Sequence, residues 1–276
     1  MPDKEEPLAH AKAGVVLVGE LMKAAGSDPN VKEAAGHLGK AAVTLSRTIN
    51  NALLPLAAVN FAFEKARAYF EDRFQKDISE RAADIPPENL QEPKASVAGP
   101  ALQALAFTHE EDALRNMFLG LLSTAMDSRK AESAHPAFVE IIKQLDAAEA
   151  RHLIQILKTK QYLPIAEVQR KAVGGGKTSL ARHLVDVKDT NTQNPVRLPR
   201  LPAMLENWAR LGLVEIHYDA WIQEADAYSW VESRPEYEEL KRIHHTEETP
   251  VSFSKGYVRV THLGEEFAKA IAADSL

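Results

Sequence analysis

HPAFVEIIKQLDAAEARHL, His135 to Leu153, decides how the first half of the chain is read. It contains Glu149-x-x-His152, a spacing with which di-iron proteins hold metal. It also contains Pro136, which suits the first position of a helix, and Asp146-Ala-Ala-Glu149, a box-like helix start. Phe138, Ile141, Ile142 and Leu145 share one face; Ala150, Leu153, Ile154 and Leu157 share the next. A di-iron bundle needs a second Glu-x-x-His and two further glutamates on facing helices. The sequence holds a second copy at Glu132-x-x-His135, but Pro136 starts a helix directly after it, so that copy does not lie on a facing helix. The stretch therefore predicts two helices meeting at Asp146, with His135 at the first cap and the acids closing the second. No metal site is expected from it.

Outward from this joint, the N-terminal side predicts helix after helix. Leu8 to Ala25 carries Val15, Val18, Leu21 and Met22 on a face. Asp28-Pro29 caps a seam running Val31, Ala34, Ala35, Leu38, Ala42, Leu45 and Ile49, interrupted at Asn50-Asn51. Pro55 opens a long helix with Leu56, Val59, Phe63, Ala66, Phe70, Phe74 and Ile78 buried and mixed charges outside. Three prolines in IPPENLQEP, Ile85 to Pro93, forbid a helix and predict an extended strap. A short helix is expected over Pro100 to Phe107. Thr108-His-Glu-Glu111 reads as a capping box for a helix that buries Leu114, Met117, Phe118, Leu121, Leu122 and Ala125.

The C-terminal side changes character after about Lys160. Pro164 to Val168 reads as an edge strand, VGGGKTS as a loop, and Thr178 or Ser179 as the cap of a short helix ending near Val187. Asp189 to Arg200 is polar and proline-bearing, a loop. Pro202 to Leu211 is a helix stopped by Gly212; Leu213 to Tyr218 is a strand. Pro235 to His245 is a charged helix, Tyr257 to Thr261 a strand, and Leu263 to Ala273 a closing helix with Phe267 and Ile271 inward. This order is that of a winged helix-turn-helix unit with an enlarged insertion. The predicted fold is mainly α: a helical bundle over 1–145, then a winged-helix-like α+β half over 146–276 with a small antiparallel sheet and an acidic wing insertion at about 219–250.

Composition bounds the function. The 276 residues include no cysteine, which excludes disulfides, thiolate zinc sites and cysteine nucleophiles and fits a reducing cytoplasm. The N-terminus lacks a signal-like apolar core, and ALLPLAAVNFAF, Ala52 to Phe63, is too short to span a bilayer, so no stable membrane insertion is expected. GGGKTS, Gly174 to Ser179, resembles a phosphate loop, but Lys171 stands where the pattern needs glycine. His244-His245 on a helix point about 100° apart and do not chelate together. No serine-nucleophile motif and no paired carboxylates point to catalysis. No enzyme, cofactor or metal is expected.

A basic segment is the one candidate contact surface. Arg170, Lys171, Lys177, Arg182, Arg197, Arg200 and Arg210, with Lys188, face only three acids between positions 170 and 210, a balance of +5. Such a stretch suits phosphates or an acidic partner. Against it, positions 215–248 hold ten acids and three bases, and the whole chain is at -6. A wing that acidic repels DNA, so DNA is possible but not favoured as partner. GVVLVG and ALLPLAAVNFAF leave a membrane-perturbing reading open.

IPPENLQEP, AGPALQALAFTHEEDALRNMFLGLLSTAMD (Ala98 to Asp127) and the opening stretch resemble the Abi-alpha (abortive infection alpha) family of bacteria. NNALLPLAAVNFAFEKARAYF resembles it too, and VRVTHLGEEFAKAI resembles its closing strand and helix. The resemblance implies phage resistance by abortive infection, acting on an unknown phage or host protein. It implies no catalytic residues: its signature positions Pro86, Pro87, Pro100, Leu102, Met126, Asp127, His135 and Pro136 all read as caps, turns and core. Gly120 stands where relatives are expected to carry a polar residue, typically asparagine. Glycine inside a helix costs about 1 kcal/mol.

Overall fold

A computed structural model describes residues 60–159 and 162–275 of the chain. The helix at Leu8 to Ala25, the seam from Val31 to Ile49 and the start at Pro55 lie outside the described residues. About half of the described residues are helical, and they include a small four-stranded antiparallel sheet. Two compact units emerge: one takes the chain as far as Gln155 and again from Glu266, and the other is Ile156–Glu265.

The first unit opens with α1 (Asn60–Ala68), a π turn (Tyr69–Arg73) and α2 (Phe74–Ala82). Ala66, Phe70, Phe74 and Ile78 are buried, as their spacing predicts. The π turn explains how steps of four stay on one side. Each such step overshoots an α-helical turn by about 40°, and one wider turn sets the drift back. It also brings Tyr69 inside, where its hydroxyl donates to Asp77 at 3.3 Å and its ring stacks on His109. The proline strap follows, with a single 3₁₀ turn at Pro87–Asn89 and an antiparallel bridge from Leu90 to Asp127.

Helix α3 is Ala95–Thr108, and α4 is Asp112–Met126. Two expectations need correction here. The helix predicted from Pro100 begins five residues earlier and holds the proline inside, because Val97 and Ala98 are fully buried against the core. The Thr108 capping box does not form. Thr108 ends α3 and its hydroxyl donates back to the Ala104 carbonyl, while Glu110 pairs with Lys65.

Helix α4 packs against α2, α3 and α5 (Pro136–Ile142). It buries every residue its spacing nominates, and Leu119 and Gly120 besides. Gly120 has a physical reason: a Cβ there would lie 2.0 Å from the Ile271 carbonyl oxygen. The helix interior accepts glycine so that the C-terminal segment can approach its backbone. Phe267 from that segment meets Phe138 edge-on at 5.4 Å.

In the second unit the strands are β1 (Leu163–Lys171), β2 (Lys177–Val185), β3 (Val214–His217) and β4 (Val251–Val260), in the order β2-β1-β4-β3. The predicted edge strand at Pro164 to Val168 is central, paired on both sides, with Ile165, Ala166 and Val168 wholly buried. The predicted helix after Thr178 is strand β2, so no helix stands between β1 and α7 (Leu201–Arg210) among the described residues. Two bulges hid that strand. Val168 pairs with Ala181, but its neighbours Ala166 and Gln169 pair with Leu184 and Ser179, so β2 carries two surplus residues that break the alternation. The strand predicted at Tyr257 starts at Val251.

Gly212 ends α7 as predicted. Its φ is +75°, its N–H reaches the Ala209 carbonyl and the Leu213 N–H reaches Trp208, a paired closure that needs the left-handed conformation. The acidic insertion does not project as a wing. Its 3₁₀ turn (Val231–Ser233) and helix α8 (Pro235–His244) fold back, because Tyr228, Val231 and Tyr237 bury against Ala166, Val168 and Leu184 on one sheet face. Helix α7 packs against β2 and β3. Helix α6 (Ala147–Lys158) enters the unit and α9 (His262–Ala270) leaves it.

Candidate functional site

Among the described residues, the bulged stretch of β2 holds one of the two left-handed non-glycine residues of the second unit, Gln193 being the other. His183 sits there at φ +55°, a left-handed conformation that non-glycine residues adopt at a cost. Its side chain is almost fully buried. The Tyr218 hydroxyl accepts the His183 backbone N–H at 3.1 Å and lies 3.2 Å from Nδ1; Nε2 lies 3.4 Å from Glu206 Oε1 on α7. Burial, with the Arg182 charge next to it, pushes the imidazole below its ordinary 6.5, against the pull of Glu206. The ring is therefore neutral at pH 7, with one nitrogen to donate and one to accept. Burial likewise pushes the Tyr218 hydroxyl up to about 12.

Beside His183 a cavity of about 250 Å³ opens between β2, the loop after it and the start of α7. Leu184, Val185, Val196, Leu198, Leu201 and Pro202 supply its apolar walls. Arg182, Arg197, Arg234 and Glu236 also line it. Arg234 is 2% exposed. It precedes Pro235 at the start of α8 and reaches back with both arms. Nη1 donates to the Val187 carbonyl at 2.7 Å and Nη2 to Val196 at 2.8 Å, while Nε and Nη2 together clasp Glu236. One buried guanidinium thus ties the two legs of the 187–196 loop to the acidic insertion.

The basic residues nominated from sequence fall into three places. Arg170, Lys171 and Lys177 lie at the turn end of the β1–β2 hairpin, where Lys171 and Lys177 are register partners. Arg182 and Arg197 border the cavity; Arg182 lies 3.6 Å from Glu167 and Arg197 2.7 Å from Glu239. Arg200 and Arg210 stand at opposite ends of α7, about 15 Å apart by helix geometry. Arg210 donates to the Asn207 side chain. The structure brings Arg182 and Arg197 to one feature, and the other five do not line it.

The remaining motifs resolve into local structure. Asp146 Oδ1 accepts the Glu149 N–H at 2.7 Å and Glu149 Oε2 accepts the Asp146 N–H at 3.4 Å, the reciprocal box predicted for this joint. His135 Nδ1 accepts the Ala137 N–H, capping α5. Asp127 is buried and bridged twice by Arg129, whose hydrogen bonds hold its carboxyl below the usual range. The GGGKTS turn is a hairpin tip with Gly174 and Gly175 at φ near +100°, and Lys177 opens a strand instead of the helix that a phosphate loop requires. His245 Nδ1 accepts the Val251 N–H. Among the described residues, no three His, Asp or Glu side chains converge as a metal site.

Sequence reasoning missed His183, Tyr218 and Arg234. An arginine directly before a helix-opening proline in an acidic stretch was the available signal for the last. Nothing local marks His183, because its role depends on a bulge defined by the partner strand.

A family model described as abortive infection alpha matches residues 66–271, well over half of the chain. No curated protein and no solved structure matches it.

Proposed function

Since the chain belongs to the abortive infection alpha family, we propose that it is a bacterial phage-defence protein that acts in the cytoplasm by binding another protein, without catalysing a reaction. The family match carries the defence reading. The binding reading rests on the second unit, where an apolar hollow with arginines among its lining residues offers recognition chemistry. The polar groups at the joint around Asp146 close helices, which supports a scaffold role for that part of the first unit.

A DNA-binding regulator is the second reading. The succession α7, β3, β4, with β1 on the far side of β4, is what a winged-helix-like derivative would keep, β2 having replaced its middle helix. The outward residues of α7 weigh against it: Glu206 faces His183 and Arg210 bonds Asn207. A membrane-perturbing effector is a third reading. No helix of the described residues is long and apolar enough to cross a membrane.

The deciding experiment compares cells with and without the gene, challenged by a phage panel at low and high dose. Survival of the culture at low dose with collapse at high dose is expected for at least one phage. Equal plaque counts for every phage would remove the defence role. Salt-sensitive duplex binding weakened in Arg197→Ala plus Arg200→Ala would favour the regulator, and dye release from liposomes the effector.

A further inference from the structure

We propose that the turn of the β1–β2 hairpin is a contact site for duplex DNA, entering the minor groove end-on. The inference goes beyond the protein-binding reading above and uses a surface other than the hollow. Three observations converge on it.

The first is charge without a partner. Among the described residues, Arg170, Lys171 and Lys177 form no ion pair and no side-chain hydrogen bond. Arg182, Arg197 and Arg210, by contrast, are each engaged. Lys171 and Lys177 are register partners, so their side chains leave one face of the hairpin beside each other. Like charges directly opposite one another destabilise a strand pair. Glu247 and Glu248, in the loop whose Pro250 carbonyl accepts the Lys171 N–H, pair with neither lysine. Arg170 is opposite Thr178 and leaves the other face. Its Nε is buried with no hydrogen-bond partner, so no protein acceptor fixes that guanidinium. Cations therefore flank the turn on both faces.

The second is a slim apex. The Ala172 N–H reaches the Gly176 carbonyl at 2.7 Å, and the Gly175 N–H reaches Ala172 at 3.1 Å. Gly174 and Gly175 hold the positive φ that this turn demands. Gly176 is different. Its φ is not positive, and a Cβ there would meet nothing within 4 Å. Neither the turn nor the packing calls for glycine at 176; close approach of a ligand to the backbone does.

The third is projection. β1 pairs with β4 only as far as Arg170, and β2 has β1 as its only strand partner. The turn therefore stands clear of the sheet, with Val173 at its apex 77% exposed. A narrow apolar apex with cations on both faces fits a groove walled by phosphates on both sides. The minor groove of B-form DNA is about 6 Å wide, its A-tracts draw lysine and arginine, and it admits apolar wedges. A lipid surface matches less well, because one small apolar side chain gives only marginal insertion.

The test titrates the full-length protein into fluorescein-labelled duplexes, one with an A-tract and one rich in G·C, and reads anisotropy. Three neutralised phosphates predict a slope of log affinity against log salt of about -2.7, which is about a 40-fold loss between about 50 and 200 mM. Lys171→Ala plus Lys177→Ala should reduce that slope to about -0.9. Gly176→Val keeps the charge and meets no neighbour, yet should lose the preference for the A-tract. A minor-groove dye should displace the wild type. Arg197→Ala plus Arg200→Ala should keep the wild-type slope, and thermal unfolding confirms that each variant is folded. No duplex binding at the lowest salt, an unchanged slope in the lysine variant, wild-type preference in Gly176→Val, indifference to the dye, or tighter binding to phosphatidylserine vesicles than to duplex would overturn the proposal. Binding weakened by Arg197→Ala plus Arg200→Ala instead would overturn it too, by placing the contact elsewhere. The protein-binding reading uses the hollow and stands if the hairpin fails.

Discussion

In the helical unit, the polar side chains at Asp127, His135, Asp146 and Glu149 stand at helix ends and satisfy groups within a few residues of themselves. In the sheet unit, the buried polar side chains reach far. Arg234 bonds carbonyls 47 and 38 residues away, Tyr218 meets His183 across 35 residues, and Tyr228 donates to the Gly256 carbonyl 28 residues on. Caps of the first kind close a helix on itself, and the longer ties of this unit, such as the Ser123 hydroxyl to the Arg81 carbonyl, join helix to helix. Ties of the second kind pull loops across a sheet, and the loops do not close on it perfectly. The hollow beside β2 is the residue of that imperfect closure. A recognition site is therefore expected where tertiary ties dominate, and a scaffold where local closure does.

That contrast can be broken in three places. The largest effect is expected at Gly120. Replacing it with the asparagine expected of relatives drives a Cβ into the Ile271 carbonyl, and overpacking against backbone should cost more than about 3 kcal/mol. Chemical denaturation reads it directly; a loss under about 1 kcal/mol would mean that the C-terminal segment is free to withdraw.

Arg234→Met comes next. It leaves Glu236 without its bidentate partner and frees both legs of the loop, a loss of about 3 kcal/mol. Hydrogen exchange should quicken across 187–199 while the amides of α4 stay protected. Uniform acceleration in both units would contradict the separation drawn here.

The smallest effect is a pH dependence. The folded value of His183 is depressed, by burial first and by Arg182 second. Between that value and the ordinary 6.5 the unfolded chain binds the proton that the folded chain refuses. Its contribution is complete above pH 6.5 and is lost as the pH falls through this window. The urea midpoint should decline from pH 7.5 to 5.5, and His183→Gln should flatten that part of the decline. Glu206 and Glu167 face the same ring and oppose the shift, so a parallel decline in the variant would assign the effect to carboxylates instead.

The sequence by itself determined what local chemistry governs. Pro136, Asp146 and Glu149 announced the two helices at their joint, Gly212 announced the end of α7, and the apolar rows of α2 and α4 announced their buried faces. These signals are legible because caps and helical periodicity lie within one or two turns of the chain. Tertiary structure alone decided the rest. Strand β2 has no readable alternation, since its two bulges exist only in register with β1. Thr108 satisfied its hydroxyl within the preceding helix, and the acidic insertion became a cover once Tyr228, Val231 and Tyr237 found an open sheet face. The cavity with Arg182, Arg197 and Arg234 belongs to this second class, because burial, register and loop closure depend on residues far apart in the chain, and no local pattern encodes which distant partner arrives.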